Sequence, residues 1–147
     1  MSALRDRVIE VELHLDATPT RVFPYFTDPV LYAQWQGIRA ELDPRPGGHF
    51  RVWMDDDRVA EGTYLEVDPP HRLAFTWGWR RDAHVPPGST TVEITLEPAG
   101  DGTRLLLRHS GLPDEASALM HDQGWVMFGA RLRSVIRGET PPAFGPS

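Results

Sequence analysis

Only one stretch of this chain sustains a helical face. His121, Trp125, Phe128, Leu132 and Val135 fall at spacings of four, three, four and three, which sets them along one side of a helix. From Val8 to His109 the apolar residues instead recur at every second position within short runs, the pattern of strands with one buried face. Strands of that kind make a sheet with an apolar face to cover, and no other element has enough apolar stripe to cover it. The chain is therefore expected to be an α+β domain in which a long C-terminal helix lies across a strongly curved antiparallel sheet.

The individual runs support this. Val8 to Leu15 puts Ile9, Val11, Leu13 and Leu15 on one face and Glu10, Glu12 and His14 on the other. Thr18-Pro19 and Asp28-Pro29 each place a capping oxygen before a proline at the first helical position, so two short helices are expected. Pro24 lacks the N–H that a helix interior needs, so the first should be short or kinked there. Leu31 and Trp35 then share a face of the second. Asp43 to Gly48 reads as a loop, His49 to Met54 as a strand, Asp55-Asp56-Asp57 as its turn and Val59 to Val67 as the next strand. Leu73, Phe75, Trp77 and Trp79 alternate along another. Thr91 to Glu97 and Thr103 to His109 flank Gly100-Asp101-Gly102, a hairpin signal. Pro113-Asp114-Glu115 opens the long helix, Arg131, Arg133 and Arg137 suit the dipole at its end, and Gly138 ends it. These runs give about six to seven strands, one domain over residues 1–138 and a flexible Pro-rich tail over 139–147.

Composition removes several functions. Hydrophobic residues are 40% and charged residues 24% of 147, a globular balance for one domain. Without cysteine there are no disulfides, no thiolate chemistry and no Cys-rich zinc site. The net charge is −6 and all 15 basic residues are Arg, with no basic cluster, so a nucleic-acid partner is not expected. No export signal or membrane-length apolar run is visible, so no membrane association and a cytoplasmic location are expected. No P-loop, Rossmann glycine pattern, zinc-binding His-Glu motif or Ser-His-Asp order occurs. Asp55-Asp56-Asp57 lacks the alternating ligands of a calcium loop and reads as a solvated turn. No cofactor and no metal are expected.

A family resemblance rests on pieces spread from Val8 to Gly138. They are Thr27-Asp28-Pro29 followed by Trp35 and Gly37; Gly47-Gly48; Gly62 ahead of Val67-Asp68-Pro69-Pro70; Leu73 to Trp77; Gly102-Thr103; His109-Ser110-Gly111-Leu112; and His121-Asp122-Gln123-Gly124-Trp125. In order and spacing they resemble the SRPBCC superfamily, with its START-like helix-grip fold. Within it, they are most similar to the bacterial family named after the C-terminal domain of the activator of Hsp90 ATPase homologue. Pro24 is unusual for a first helix of this type. The additional N-terminal domain of the eukaryotic co-chaperones has no counterpart in this sequence, so the name does not imply a chaperone role. The resemblance implies a cavity between the long helix and the sheet that takes a small hydrophobic molecule.

Candidate site residues follow from that cavity. Trp35, Tyr64, Phe75, Trp77, Trp125 and Phe128, with Trp79 nearby in sequence, supply aromatic material for a pocket wall; regularly spaced aromatics equally make a solid core. His109 lies on the apolar face of its strand and His121 heads the apolar face of the helix. Both are candidates to bind ligand and, with Tyr64, to act as acid or base on a cyclase or hydrolase; equally, each histidine caps a backbone group at an element end. Gly124 costs about 1 kcal/mol in a helix interior; its missing side chain could admit a ligand or a close strand, and close helix–sheet packing, which gives Trp125 room, is the leading expectation. Binding of a small apolar ligand by a monomer or homodimer is the leading expectation. An enzyme on the same scaffold and a protein-interaction or chaperone-accessory module are the rivals.

Overall fold

Every strand predicted from alternation forms, and two more join them. The structure is a computed structural model that describes residues 2–143. The strands are β1 (Ser2–Arg5), β2 (Val8–Leu15), β3 (Arg39–Leu42), β4 (His49–Trp53), β5 (Val59–Asp68), β6 (Arg72–Trp77), β7 (Thr90–Ala99) and β8 (Gly102–Ser110). They make one open, wholly antiparallel sheet in the order β1-β2-β8-β7-β6-β5-β4-β3. Eight strands thus replace the six to seven expected. The unforeseen pair are short edge strands. β1 is reached by a tight turn with positive φ at Asp6 and Arg7, made without the glycine that usually announces one. β3 is four residues with no buried side chain, so it carries no alternation to read.

The helical segments follow the proline logic closely. The first, α1 (Pro19–Val22), gives way to a 3-10 turn over Phe23–Phe26 that accommodates Pro24. The second, α2 (Pro29–Tyr32), is capped by Asp28, whose carboxylate accepts from Val30 N at 2.9 Å and Leu31 N at 3.3 Å. Thr18 makes no such side-chain cap, which corrects that expectation; proline at the first helical position already removes one of the N–H groups needing a partner. The long helix, α3 (Glu115–Ile136), starts on Asp114, which accepts from Ser117 N at 2.8 Å and ends before Gly138 at φ 75°.

α3 packs across β2 and β1. Close approach is made possible by Gly129, where a Cβ would lie 2.9 Å from Leu13 Cδ2. Beneath this half of the helix the interior is nearly solid: a void of only about 20 Å³ remains among residues such as Val11, Leu105, Trp125 and Leu132. Arg131 does not face solvent as a dipole partner. It is buried, donates from Nε to Trp35 O at 3.0 Å and from Nη1 to Pro142 O, and so ties the helix to the segment after α2. Of the tail expected over 139–147, residues 144–147 lie outside the described residues.

The core is dominated by a relay of rings. Trp35 meets Phe26 edge-on at 5.3 Å, Tyr32 meets Phe50 at 5.7 Å, and Phe50 stacks on Phe75 at 4.1 Å. Trp77 then continues the relay to Trp79 at 5.4 Å and Trp125 at 5.2 Å. Such pairs add about 0.5–1.5 kcal/mol each beyond area burial, and they link the short helices, the sheet and α3 in one body. Gly129→Val should lower stability by about 1–3 kcal/mol through overpacking against Leu13, measured by urea denaturation; an unchanged midpoint would place the helix further from the sheet than described.

Candidate functional site

Along its middle, from Met120 to Phe128, α3 borders a pocket of about 480 Å³. One wall is α3, with Met120, His121, Gly124, Trp125, Met127 and Phe128. The other comprises Trp77 and Trp79, Gln36 after α2, and Met54, Asp55 and Arg58 of the β4–β5 turn. The exposed side chains of Asp55, Arg58 and Met120 mark the rim. Asp55 is held as a turn residue: Oδ1 accepts from Asp57 N at 2.9 Å and Arg58 N at 2.8 Å, and Oδ2 takes Arg58 Nε at 3.0 Å.

Trp77, His121, Trp125 and Phe128 of the residues singled out in the sequence line this pocket. His109 sits immediately behind it, its ring 5.4 Å from that of His121 and 6.0 Å from that of Trp125. Trp35, Tyr64 and Phe75 lie elsewhere in the ring relay, and Tyr64 donates its hydroxyl to Phe26 O at 2.9 Å. Burial pushes the Tyr64 hydroxyl well above its ordinary range. Gly124 does not serve close packing, because a Cβ there would meet nothing within 4 Å. It faces the pocket, and Gly129 takes the packing role instead. Met54, Met120 and Met127 carried no periodic signal, and the place of Gln36 depends on how the loop after α2 returns to the sheet.

Each histidine is built into the wall by an indole. Trp125 Nε1–H donates to His109 Nδ1 at 2.9 Å, so a neutral ring carries its proton on Nε2. That nitrogen meets Thr90 Oγ1 at 2.8 Å, and the Thr90 hydroxyl donates onward to Trp77 O at 2.7 Å. Trp79 Nε1–H donates to His121 Nε2 at 2.9 Å, leaving the proton on Nδ1, 2.7 Å from Ser117 O. The two rings thus adopt opposite tautomers, and all four nitrogens have protein partners. Burial holds His109 far below the usual imidazole range, at about 3, with His121 adding to the effect. His121 is also lowered by burial, against the pull of its Ser117 bond.

Between about pH 6.5 and 3 an unfolded His109 binds a proton that the folded one refuses, so its contribution is complete above pH 6.5 and is lost as pH falls toward 3. His121 acts in the same direction. His109→Gln keeps one donor and one acceptor but cannot titrate. Urea midpoints from pH 7 to 4 should show a shallower acid slope in this variant, by up to about 1.4 kcal/mol per pH unit; identical slopes would contradict a buried neutral His109.

Comparison with known proteins agrees with this architecture. Residues 16–137 match the family described as Activator of Hsp90 ATPase homolog 1-like protein, and the chain belongs to that family. Among solved structures, the AHSA1-like protein of Rhizobium etli is 43% identical, with a TM-score of 0.74, covering 95% of this chain and 89% of that one. Protein MLL2253 of Mesorhizobium loti is 25% identical with a TM-score of 0.80, covering 89% and 97%. DynU16, from the dynemicin biosynthetic locus, is 26% identical with a TM-score of 0.79, covering 95% of this chain and 51% of its own. No curated protein matches. No helix among the described residues is long and apolar enough to cross a membrane.

Proposed function

We propose that this family member binds a small, largely apolar molecule in the pocket between the middle of α3 and the Trp77–Trp79 segment. The observation that carries the reading is Gly124. A glycine in a helix interior costs stability, and here its missing side chain leaves pocket space rather than allowing close packing. The volume of about 480 Å³ falls within the range of small-molecule sites, and the indole, phenyl and thioether lining offers dispersion contacts to a flat ligand. The place of DynU16 in a biosynthetic locus supports a natural-product-like ligand.

The rival is a cyclase- or hydrolase-type enzyme using His109, His121 and Tyr64. It asks these groups to exchange protons with a substrate. Tyr64 and His109 are fully buried, and the hydroxyl and all four imidazole nitrogens already serve protein partners. Their geometry favours fixing the wall over moving protons. The other rival, a protein-interaction module, does not need the space beside Gly124.

N-phenyl-1-naphthylamine, a neutral fluorescent probe, should bind saturably at one site per chain. Gly124→Leu, which projects a side chain into the pocket, should weaken it about tenfold or more without lowering the melting temperature. Equal affinity in the two proteins, or no saturable binding, would sink the reading.

A further inference from the structure

Gln36 is a polar side chain sunk into the pocket wall with one end unused. It lines the pocket and is 1% exposed. A buried amide is costly unless both its ends find partners, and here only one does: Oε1 accepts the Tyr32 hydroxyl. Tyr32 is fully buried and its hydroxyl has no other partner among the described residues. Reversing the amide would strand the hydroxyl proton, so Oε1 belongs on Tyr32 and Nε2 is the free end. Nε2 has no protein acceptor, yet it is not walled off. Among the described residues, the buried side-chain N and O atoms that lack both a partner and contact with solvent are Trp77 Nε1 and Asp122 Oδ1. Gln36 Nε2 therefore belongs to the small surface that this residue keeps, and Gln36 lines the pocket. The backbone holds the donor in place. Gln36 N donates to Tyr32 O at 3.2 Å, Arg131 Nε donates to Trp35 O at 3.0 Å, and Gly37, at φ 80°, passes so close to β4 that a Cβ would lie 2.6 Å from Trp53 O.

We infer that Gln36 is a specificity-determining residue of the pocket, whose Nε2–H donates to a carbonyl oxygen on the flat, largely apolar ligand. The inference rests on the pocket being the ligand site and adds the chemistry by which that site selects. A carbonyl oxygen has lone pairs for the donor and no hydrogen of its own that needs an acceptor. A ligand donor would find the lining's acceptors in use: both His121 nitrogens and both Asp55 oxygens have protein partners, and Arg58 can only donate. A hydrocarbon of the same shape covers Nε2 and leaves it unpaired. Stacking on Trp125 and Phe128 does not distinguish the two, so discrimination falls to the amide.

The matched probes are 9-fluorenone and fluorene, which share a three-ring skeleton and differ by a carbonyl in place of a methylene. Each is titrated into ¹⁵N-labelled protein, and dissociation constants are read from the same titrations. The chain has three glutamines and no asparagine, so the side-chain NH2 region holds three pairs of signals, and the pair lost in Gln36→Met belongs to Gln36. Fluorenone should move one proton of that pair downfield and fluorene should not. Gln36→Met keeps the length of the side chain without the donor and should weaken fluorenone relative to fluorene by about three- to tenfold, the worth of one neutral hydrogen bond. Taking the ratio removes any change in packing that both probes feel. If both bind but Gln36→Met leaves their ratio unchanged, or if fluorene alone binds, the pocket stands and the carbonyl recognition is overturned. If neither binds, the ligand-site reading fails and this inference with it. Should Gln36→Met not fold because the Tyr32 hydroxyl is stranded, Tyr32→Phe/Gln36→Met removes both partners and is compared with Tyr32→Phe, while the NH2 shift in the unaltered protein decides independently.

Discussion

Two indole-to-imidazole hydrogen bonds hold the pocket wall, and both depend on neutral histidine. Protonating His109 would convert the acceptor of Trp125 into a donor and set two N–H groups against each other in a buried site. The same would follow for His121 and Trp79. Burial prevents this by penalising the charged form. The hydrogen bonds in turn fix the ring planes, because each imidazole is held at both ends: His109 between Trp125 and Thr90, His121 between Trp79 and Ser117. Strand β8, the segment after β6 and helix α3 are thereby locked to one another through polar contacts inside an apolar core, an arrangement that is costly if any member is left unpaired.

The wall also explains why the cavity lies where it does. Trp125 stands between the two halves of the helix–sheet interface and lines both the pocket and the small void beyond it. On one side of it, Gly129 brings α3 down onto Leu13 and the interior closes. On the other, Gly124 withholds a side chain and the interior stays open. Two glycines five residues apart in one helix thus do opposite things, one by admitting a neighbour and the other by leaving room.

Much of this was legible in the sequence. The bounds of β2, the helical face of α3, the interruption at Pro24 and the inward parity of His109 follow from spacing alone, because burial on one face imposes period two on a strand and about 3.6 on a helix. The edge strands were not legible: Arg39–Leu42 buries no side chain, and the turn before β2 uses Arg7 at positive φ, where sequence rules expect glycine. In the site, parity identified Trp77 and Trp125, but it could not separate them from Phe75, which shares the same strand face as Trp77 and sits deeper in the ring relay. Nor could it assign the roles of Gly124 and Gly129, since both are merely helix-interior glycines until the sheet is in place. Gln36, Met54 and Arg58 reach the pocket through loop geometry that no periodicity encodes.

The most direct test of the neutral wall is the protonation state of each imidazole nitrogen, read from long-range ¹H–¹⁵N correlations of the unliganded protein at pH 7. The account requires two single and opposite tautomers, with the proton on Nε2 in His109 and on Nδ1 in His121. Averaged tautomers, or an imidazolium pattern at either residue, would mean that the Trp125–His109 and Trp79–His121 bonds do not hold the wall.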